Sequence, residues 1–199
     1  MTNTTRRCLH GLAELVLAGP QHRTSGTIRL RVTGGGFATV AAPDLLVTAD
    51  ALVAGGRRVP LAGRTLGEVA AEAGVAAGAP EGLYRDGSGA ALDDVTVLDG
   101  AAEILDGFAA GDAALRAFAP EATPVLWPEH FDLGISLDEV NYGVSAGDSA
   151  IEEPYAYVGP WKPRTGDFWN VSFGAAHPLR EVASLEAFFA EGRRQAAQS

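Results

Sequence analysis

Two short segments with alternating apolar residues, 131–137 and 140–144, constrain the fold more than any other feature of this 199-residue chain. In both segments every second residue is apolar, which is the pattern of a β-strand with one buried face. Only Asp138 and Glu139 separate the segments, and two residues are enough for a hairpin turn. The pattern therefore predicts an antiparallel hairpin whose register is set by its buried face.

With this turn, the apolar residues of the two strands oppose each other on one side of the hairpin. The other side pairs Ser136 with Asn141, Gly134 with Gly143, and Asp132 with Ser145. Two facing glycines leave no side-chain bulk at the centre of that side, and glycine in a strand often marks the close approach of a ligand or of another backbone. We expect Asp132 and Asn141 to flank the gap, and a solvated outer face with tolerated glycines is the alternative.

The rest of the chain alternates groups of short strands with helices and contains no regular βαβ repeat. Strands are predicted at 27–33, 37–41, 45–53, 57–61 and 154–158. Helices are predicted at 6–17, at 65–74 behind a capping box, at 101–118 with a break at Gly111-Asp112, and at 182–194. The first of these helices should end at Gly19-Pro20, and residues 76–91 should form a loop.

This order of elements predicts an α+β fold, with largely antiparallel β-sheet and four or five helices packed on one side. The length favours a single domain over residues 1–199, and subdomains 1–120 and 121–199 are the alternative.

Composition excludes several classes of protein. The chain has 25 acidic and 15 basic residues, a formal net charge of −10, and one cysteine. Nucleic-acid binding through a basic face, a disulfide framework and a cysteine zinc site are therefore not expected. No apolar run is long enough to cross a bilayer. Residues 1–7 are polar and 9–18 amphipathic, unlike a secretory signal, so we expect a cytoplasmic protein.

The negative charge and the aromatic residues are concentrated in one part of the chain. Residues 121–170 contain nine acidic residues against Lys162 and Arg164, which is a local net charge of −7. Residues 127–173 contain nine of the 15 aromatic residues and all three tryptophans. The segment therefore predicts an acidic, aromatic surface that favours cations, metal ions or polar cationic ligands.

Aromatic walls with a few carboxylates are typical of small-molecule pockets, although large aromatic residues also build cores. The ligand-binding candidates are Trp127, Asp132, Asn141, Glu153, Tyr155, Tyr157, Trp161, Trp169 and Asn170. The leading hypothesis is a protein that binds a small molecule in a cleft formed by residues 127–173. The alternatives are a metal-dependent enzyme and a protein-interaction or homodimerisation module, so the sequence leaves open whether the chain is an enzyme.

His130 and Asp132 are the candidates for catalysis and for metal binding. At positions i and i+2 of an extended strand they would lie on the same side, where they can chelate a divalent metal or act as an acid–base pair. Nearby acidic residues would complete an oxygen-rich shell for Mg²⁺, Mn²⁺ or Zn²⁺: Glu129, Asp148, Glu152 and Glu153. A local hydrogen bond between the two side chains is the alternative interpretation.

Two strings in this region resemble known sequences. Residues 126–133 (LWPEHFDL) and 154–161 (PYAYVGPW) resemble uncharacterised actinobacterial proteins. More distantly, they are similar to a bacterial family of unknown function with W-x-x-x-F-D-L and Y-A-Y-x-x-P motifs. The order of elements is also similar across most of the chain. The resemblance implies membership of that family, and it implies no reaction, cofactor or catalytic residue.

Overall fold

The computed structural model describes residues 3–198 and shows an α+β fold with antiparallel β-sheet. The helical elements are α1 Asn3–Gly11, a π-helical segment Leu12–Ala18, α2 Gly19–Ser25, α3 Leu66–Ala73, α4 Ala101–Phe118, a 3₁₀ turn Leu179–Glu181 and α5 Leu185–Ala197. The strands are β1 Leu30–Thr33, β2 Gly36–Thr39, β3 Leu45–Thr48, β4 Ala51–Ala54, β5 Arg57–Pro60, β6 Val125–Trp127, β7 Asp132–Leu137, β8 Val140–Ser145, β9 Tyr155–Pro160 and β10 Ala175–Pro178. None of the helices in this part of the chain combines the length and the hydrophobicity that a membrane span needs.

The described residues form two compact units. The first unit extends to Asp106 and also includes 126–131, and the second comprises 107–125 and the residues from Asp132 onward. The chain therefore changes unit at three points, 106/107, 125/126 and 131/132.

A continuous helical run, α1 through α2, forms the centre of the first unit. Residues 11–21 are all buried, and the run contacts β1, β2 and β3. The predicted end at Gly19-Pro20 is wrong, because the run continues to Ser25 and ends at Gly26 in a left-handed conformation. Pro20 follows the π-helical segment directly and cannot donate to the preceding turn, where the Leu15 carbonyl accepts a hydrogen bond from the Gly78 amide.

The strands of the first unit follow the order β6-β1-β2-β3-β4-β5, and α3 packs against β4 and β5. The predicted capping box is confirmed, since Thr65 accepts from the Glu68 amide and Glu68 accepts from the Thr65 amide. The single strand predicted at 45–53 is wrong, because it is two strands joined by a turn. The Thr48 hydroxyl organises that turn by accepting from the Ala51 amide at 3.1 Å.

The strands of the second unit follow the order β10-β9-β8-β7, and the hairpin β7–β8 has the predicted register, including Gly134 opposite Gly143. Asp138 and Glu139 form the turn with φ values of 53° and 60°. The predicted break in α4 is wrong, because Gly111 lets the unbroken helix approach the sheet: a Cβ there would lie 2.7 Å from Val144 Cγ2. Helix α5 approaches β9 in the same way through Gly192.

The segment 76–91 contains no helix or strand, as predicted, and it lies along the central helical run. The Gly78 amide donates to the Leu15 carbonyl at 2.8 Å, and the Arg23 guanidinium donates to the carbonyls of Ala76 and Gly78. The backbones approach so closely that a Cβ at Gly19 would lie 1.7 Å from the Gly78 oxygen. The segment is therefore anchored through its main chain.

This contact predicts that Gly19→Ala destabilises the protein. Alanine normally stabilises a helix interior by about 1 kcal/mol relative to glycine. Here the added methyl group collides with the Gly78 carbonyl, and we expect a loss of about 1–3 kcal/mol in the free energy of unfolding, measured in urea. The control is Thr24→Ala at an exposed position of the same helix, which should change stability by less than about 0.5 kcal/mol. Equal stability of Gly19→Ala and the unsubstituted protein would contradict the prediction.

Candidate functional site

The central candidates of the second unit share the sheet face that points away from α4 and α5. Val144 of β8 faces α4, so its neighbour Gly143 lies on the opposite face. The register places Gly143 between Gly134 of β7 and Tyr157 of β9, which therefore belong to the same face.

The side chain of Tyr157 fills the space above the two glycines. A Cβ at Gly143 would lie 2.6 Å from Tyr157 Cζ, and a Cβ at Gly134 would lie 2.8 Å from the Tyr157 hydroxyl oxygen. The expectation that a ligand or another backbone approaches these glycines is thus corrected. Here the glycines make room for a tyrosine of the same sheet, because any larger residue would occupy the position of its ring.

The Tyr157 hydroxyl donates a hydrogen bond to Asp132 Oδ2, so the structure brings two of the predicted ligand residues together. Part of the Tyr157 side chain is exposed, but its hydroxyl is enclosed. Burial, and then the neighbouring Asp132 carboxylate, raise the pKa of Tyr157 well above its usual value. Tyr157 is therefore a neutral hydrogen-bond donor that is held in one orientation across the sheet.

A second tyrosine–aspartate pair adjoins the first. The Tyr155 hydroxyl donates to Asp148 Oδ2 at 2.7 Å, and the rings of Tyr155 and Tyr157 meet edge to face with their centroids 6.3 Å apart. Burial, and then the hydrogen bond to Asp148, raise the pKa of Tyr155. Phe173 extends the row: its ring is 6.4 Å from that of Tyr155 and the residue is 40% exposed.

We call Asp132, Asp148, Tyr155, Tyr157 and Phe173 the tyrosine–aspartate face. Asp148 was considered only as a metal ligand from sequence, and its role here depends on the loop after β8. Asp148 Oδ1 accepts from the amides of Ala150 and Ile151 at 2.7 and 2.9 Å, which holds the carboxylate in place below Tyr155. The sequence shows an aspartate just after a predicted strand, but it does not show which tyrosine this aspartate contacts.

Asn141 has the predicted partner Ser136 and, in addition, contacts Trp161. Its Oδ1 accepts from Trp161 Nε1 at 3.2 Å and from the Ser136 hydroxyl at 2.7 Å. Trp161 is 63% exposed. Asn141 therefore orients an exposed tryptophan near the turn of the hairpin.

Three further ligand candidates make contacts that support the fold. The Asn170 amide group bonds to the Ala176 backbone in both directions, at 3.0 and 2.9 Å. Glu153 forms an ion pair with Arg180, and the Trp169 ring packs edge-on against Phe168. These contacts hold the loop before β10 and the 3₁₀ turn, and a ligand is not needed to account for them.

Trp127 lies in β6 and belongs to the first unit, whereas the other aromatic ligand candidates belong to the second unit. The guanidinium carbon of Arg29 lies 5.7 Å from the centroid of its ring, which is a cation–π contact. The partner of this tryptophan in its own unit is therefore a cation.

His130 and Asp132 lack the extended geometry on which their pairing depended. Phe131, between them, has a φ of 53°, and β7 begins only at Asp132. The His130 side chain is 73% exposed and its Nε2 lies 3.5 Å from Glu129 Oε1. Among residues 3–198, no group of three or more histidine, cysteine, aspartate or glutamate side chains is arranged to hold a metal ion.

The first unit contains a buried glutamate that the sequence did not single out. Glu14 lies in the π-helical segment, and its Oε2 accepts from the Ser88 amide at 2.7 Å and from the Ser88 hydroxyl at 2.5 Å. Burial, and then the Glu14 carboxylate, raise the pKa of nearby Tyr84. The signal was an acidic residue inside an otherwise apolar helix. Its contacts anchor the 76–91 segment.

His10, one helical turn before Glu14, is half-buried. Its Nε2 lies 2.6 Å from the Pro128 carbonyl oxygen, and its ring stacks on Phe131 at 5.4 Å. Burial lowers the pKa of His10, more than the Pro128 carbonyl and Glu14 raise it. The neutral form, with a proton on Nε2 donated to Pro128, fits this site.

An open groove of about 500 Å³ also lies in the second unit, between α4 and residues 179–186. Alanines of α4 form one wall, and Leu179, Val182 and Leu185 contribute to the other. It shares no residue with the segment 127–173, so it is not the cleft that the sequence predicted.

Comparison of the chain with protein-family models, with curated proteins and with solved structures gives no match in any of the three.

The contact between Tyr157 and Gly134 predicts that the effects of substituting them are coupled. Gly134→Ala should destabilise the protein by about 1–3 kcal/mol, because the added Cβ meets the Tyr157 hydroxyl. In a Tyr157→Phe background that oxygen is absent, and we expect the cost to fall by about 1 kcal/mol or more in a double-mutant cycle measured by urea unfolding. Gly34→Ala, with open space around its Cβ, should show no coupling. Additive effects of Gly134→Ala and Tyr157→Phe would contradict the assignment.

The lowered pKa of His10 predicts a loss of stability on acidification. The unfolded chain binds a proton near the ordinary histidine pKa of 6.5, whereas the folded protein binds it only at lower pH. The free energy of unfolding should therefore fall as the pH drops below about 6.5. His10→Gln, which keeps a donor for the Pro128 carbonyl, should lose less stability over the same pH range in urea titrations. Parallel pH profiles for the two proteins would overturn this assignment.

Proposed function

We propose that the chain binds a small cationic molecule against the tyrosine–aspartate face of the second unit. The observation that carries the proposal is the pair of tyrosine hydroxyls, each donating to a carboxylate, with the two rings 6.3 Å apart. A phenol that donates to an anion gains electron density in its ring, which strengthens its attraction for a cation. Rings of this kind are typical of sites for ammonium groups.

The position of the helices supports the proposal. Gly111 of α4 and Gly192 of α5 both meet residues of one sheet face, Val144 and Val158. Neither helix therefore packs on the opposite face, where Tyr155 is 5% exposed, Tyr157 is half-buried and Phe173 is 40% exposed, so a ligand would contact the Tyr157 and Phe173 rings first. The net charge of −7 in residues 121–170 adds long-range attraction for a cation.

The test titrates the full chain with choline or with its neutral isostere 3,3-dimethylbutanol. Binding of each probe is measured by the NMR chemical shifts of the Gly134 and Gly143 amides. We expect choline to shift these amides and the neutral alcohol to shift them much less. Asp132→Asn, which still accepts from Tyr157, should weaken choline binding about fivefold or more because it removes the negative charge.

Asp167→Asn is the matched control, since it removes the same charge from an exposed position of the acidic segment. It should change choline binding by less than about twofold because the exposed charge is screened. Equal shifts with choline and the alcohol, or equal losses in the two variants, would contradict the proposal.

A second candidate function, an interaction or homodimerisation surface, is favoured by Trp161, which is 63% exposed and oriented by Asn141. Sedimentation of Trp161→Ser distinguishes this function, because loss of self-association in that variant would support it. No comparable observation favours a metal-dependent enzyme that uses His130 and Asp132. The resemblance of the two aromatic motifs to a bacterial family of unknown function remains a hypothesis and assigns no chemistry.

A further inference from the structure

We propose that the first unit carries a docking surface for an acidic polypeptide segment on the outer face of β1–β6. This face belongs to the other unit from the tyrosine–aspartate face, and its unpaired charged side chains are arginines, opposite in sign to the net charge of the chain.

The register defines the residues of the outer face. Arg31 of β1 pairs with Ala38, Ala38 with Leu46, Leu46 with Val53, and Val53 with Arg58. Paired residues lie on the same face of a sheet, and their sequence neighbours Val32, Phe37, Val47, Leu52 and Val59 form the buried face towards the helices. The outer face therefore has Arg31 at one side, apolar residues between, and Arg58 at the other side, where Asp50 pairs with it.

Two arginines on this face have no carboxylate partner among residues 3–198. Arg29 and Arg31 are exposed, and they lie at i and i+2, about 7 Å apart along the strand. Arg31 Nε donates to the Thr39 carbonyl, and Arg29 lies over the ring of Trp127. By contrast, Arg57 and Arg64 of the same unit both contact Glu72.

These contacts orient the guanidinium groups and leave other N–H groups for an external acceptor. A carboxylate accepts two parallel hydrogen bonds from one guanidinium, which suits this arrangement. Of the apolar residues on this face, Leu46 and Val53 are half-buried and Ala38 is buried, and Val40, just after β2, is 48% exposed. A partner that carries both carboxylates and apolar side chains complements such a surface.

The small number of unpaired arginines argues for a protein segment over a nucleic acid. Nucleic-acid binding draws its affinity from many phosphate contacts, and this face offers only two unpaired guanidinium groups among residues 3–198. An acidic segment needs only the local contacts to Arg29 and Arg31. The six strands span about 24 Å, so we expect a small, salt-sensitive interface.

The test measures fluorescence anisotropy of a short labelled peptide of alternating glutamate and leucine titrated with the full chain. We expect binding at low salt that weakens strongly at about 0.3 M NaCl, and no comparable binding of the matched glutamine–leucine peptide. Arg29→Gln and Arg31→Gln should each weaken binding about two- to fivefold, and the double variant about tenfold.

Arg57→Gln is the matched control, because it removes the same charge from the opposite face of β5, where Arg57 is paired with Glu72. It should bind the acidic peptide as the unsubstituted chain does, and thermal melting should show that all variants fold. The proposal is overturned by unchanged binding in the double variant, by equal binding of the glutamine–leucine peptide, or by tighter binding of a single-stranded oligonucleotide. It is also overturned if sedimentation shows that Arg29 and Arg31 mediate only self-association of the chain.

Discussion

The packing of Tyr157 across Gly134 and Gly143 determines the polar face of the second unit. An antiparallel pair brings facing side chains within about 5 Å, so the side chains of larger residues at positions 134 and 143 would occupy the space of the Tyr157 ring. With the ring in this position, its hydroxyl reaches Asp132 in the next strand but one. Tyr155, two residues earlier, extends the same arrangement to Asp148. The contacts that join three strands and one loop on this face therefore depend on two glycines, which have no side chain.

The first unit is organised around a helix that is buried on all sides, a less common arrangement than an amphipathic surface helix. The sides of the helix that do not face the sheet must be buried by other segments, and the irregular segment 76–91 packs against them. Because such a segment has no ladder of its own, its backbone groups must find partners elsewhere. The Leu15 carbonyl, the Arg23 guanidinium and the Glu14 carboxylate provide them. The buried Glu14 carboxylate is stable in the apolar interior because one of its oxygens accepts two hydrogen bonds from Ser88, one from the amide and one from the hydroxyl.

Features of the fold that depend on residues close in sequence were predictable, and features that depend on distant residues were not. The β7–β8 register and the capping box at Thr65 were predictable because each depends on residues close in sequence. The end of the first helix and the break at Gly111 were mispredicted for a common reason. Glycine and proline in a sequence indicate the end of a helix, whereas Gly19 and Gly111 here permit close packing with distant backbone or side chains. The missing Cβ is visible in sequence, but the neighbour that requires its absence is not.

The sequence by itself determined the class of fold, the central hairpin with its facing glycines, and the concentration of acidic and aromatic residues in one segment. Alternation with a period of two and local charge density do not depend on where the rest of the chain lies. Only the tertiary structure decided what the glycines accommodate, which carboxylate each tyrosine reaches, and that Trp127 faces an arginine. Those outcomes depend on strands and loops far apart in the chain, and the register between them follows from packing of the whole unit.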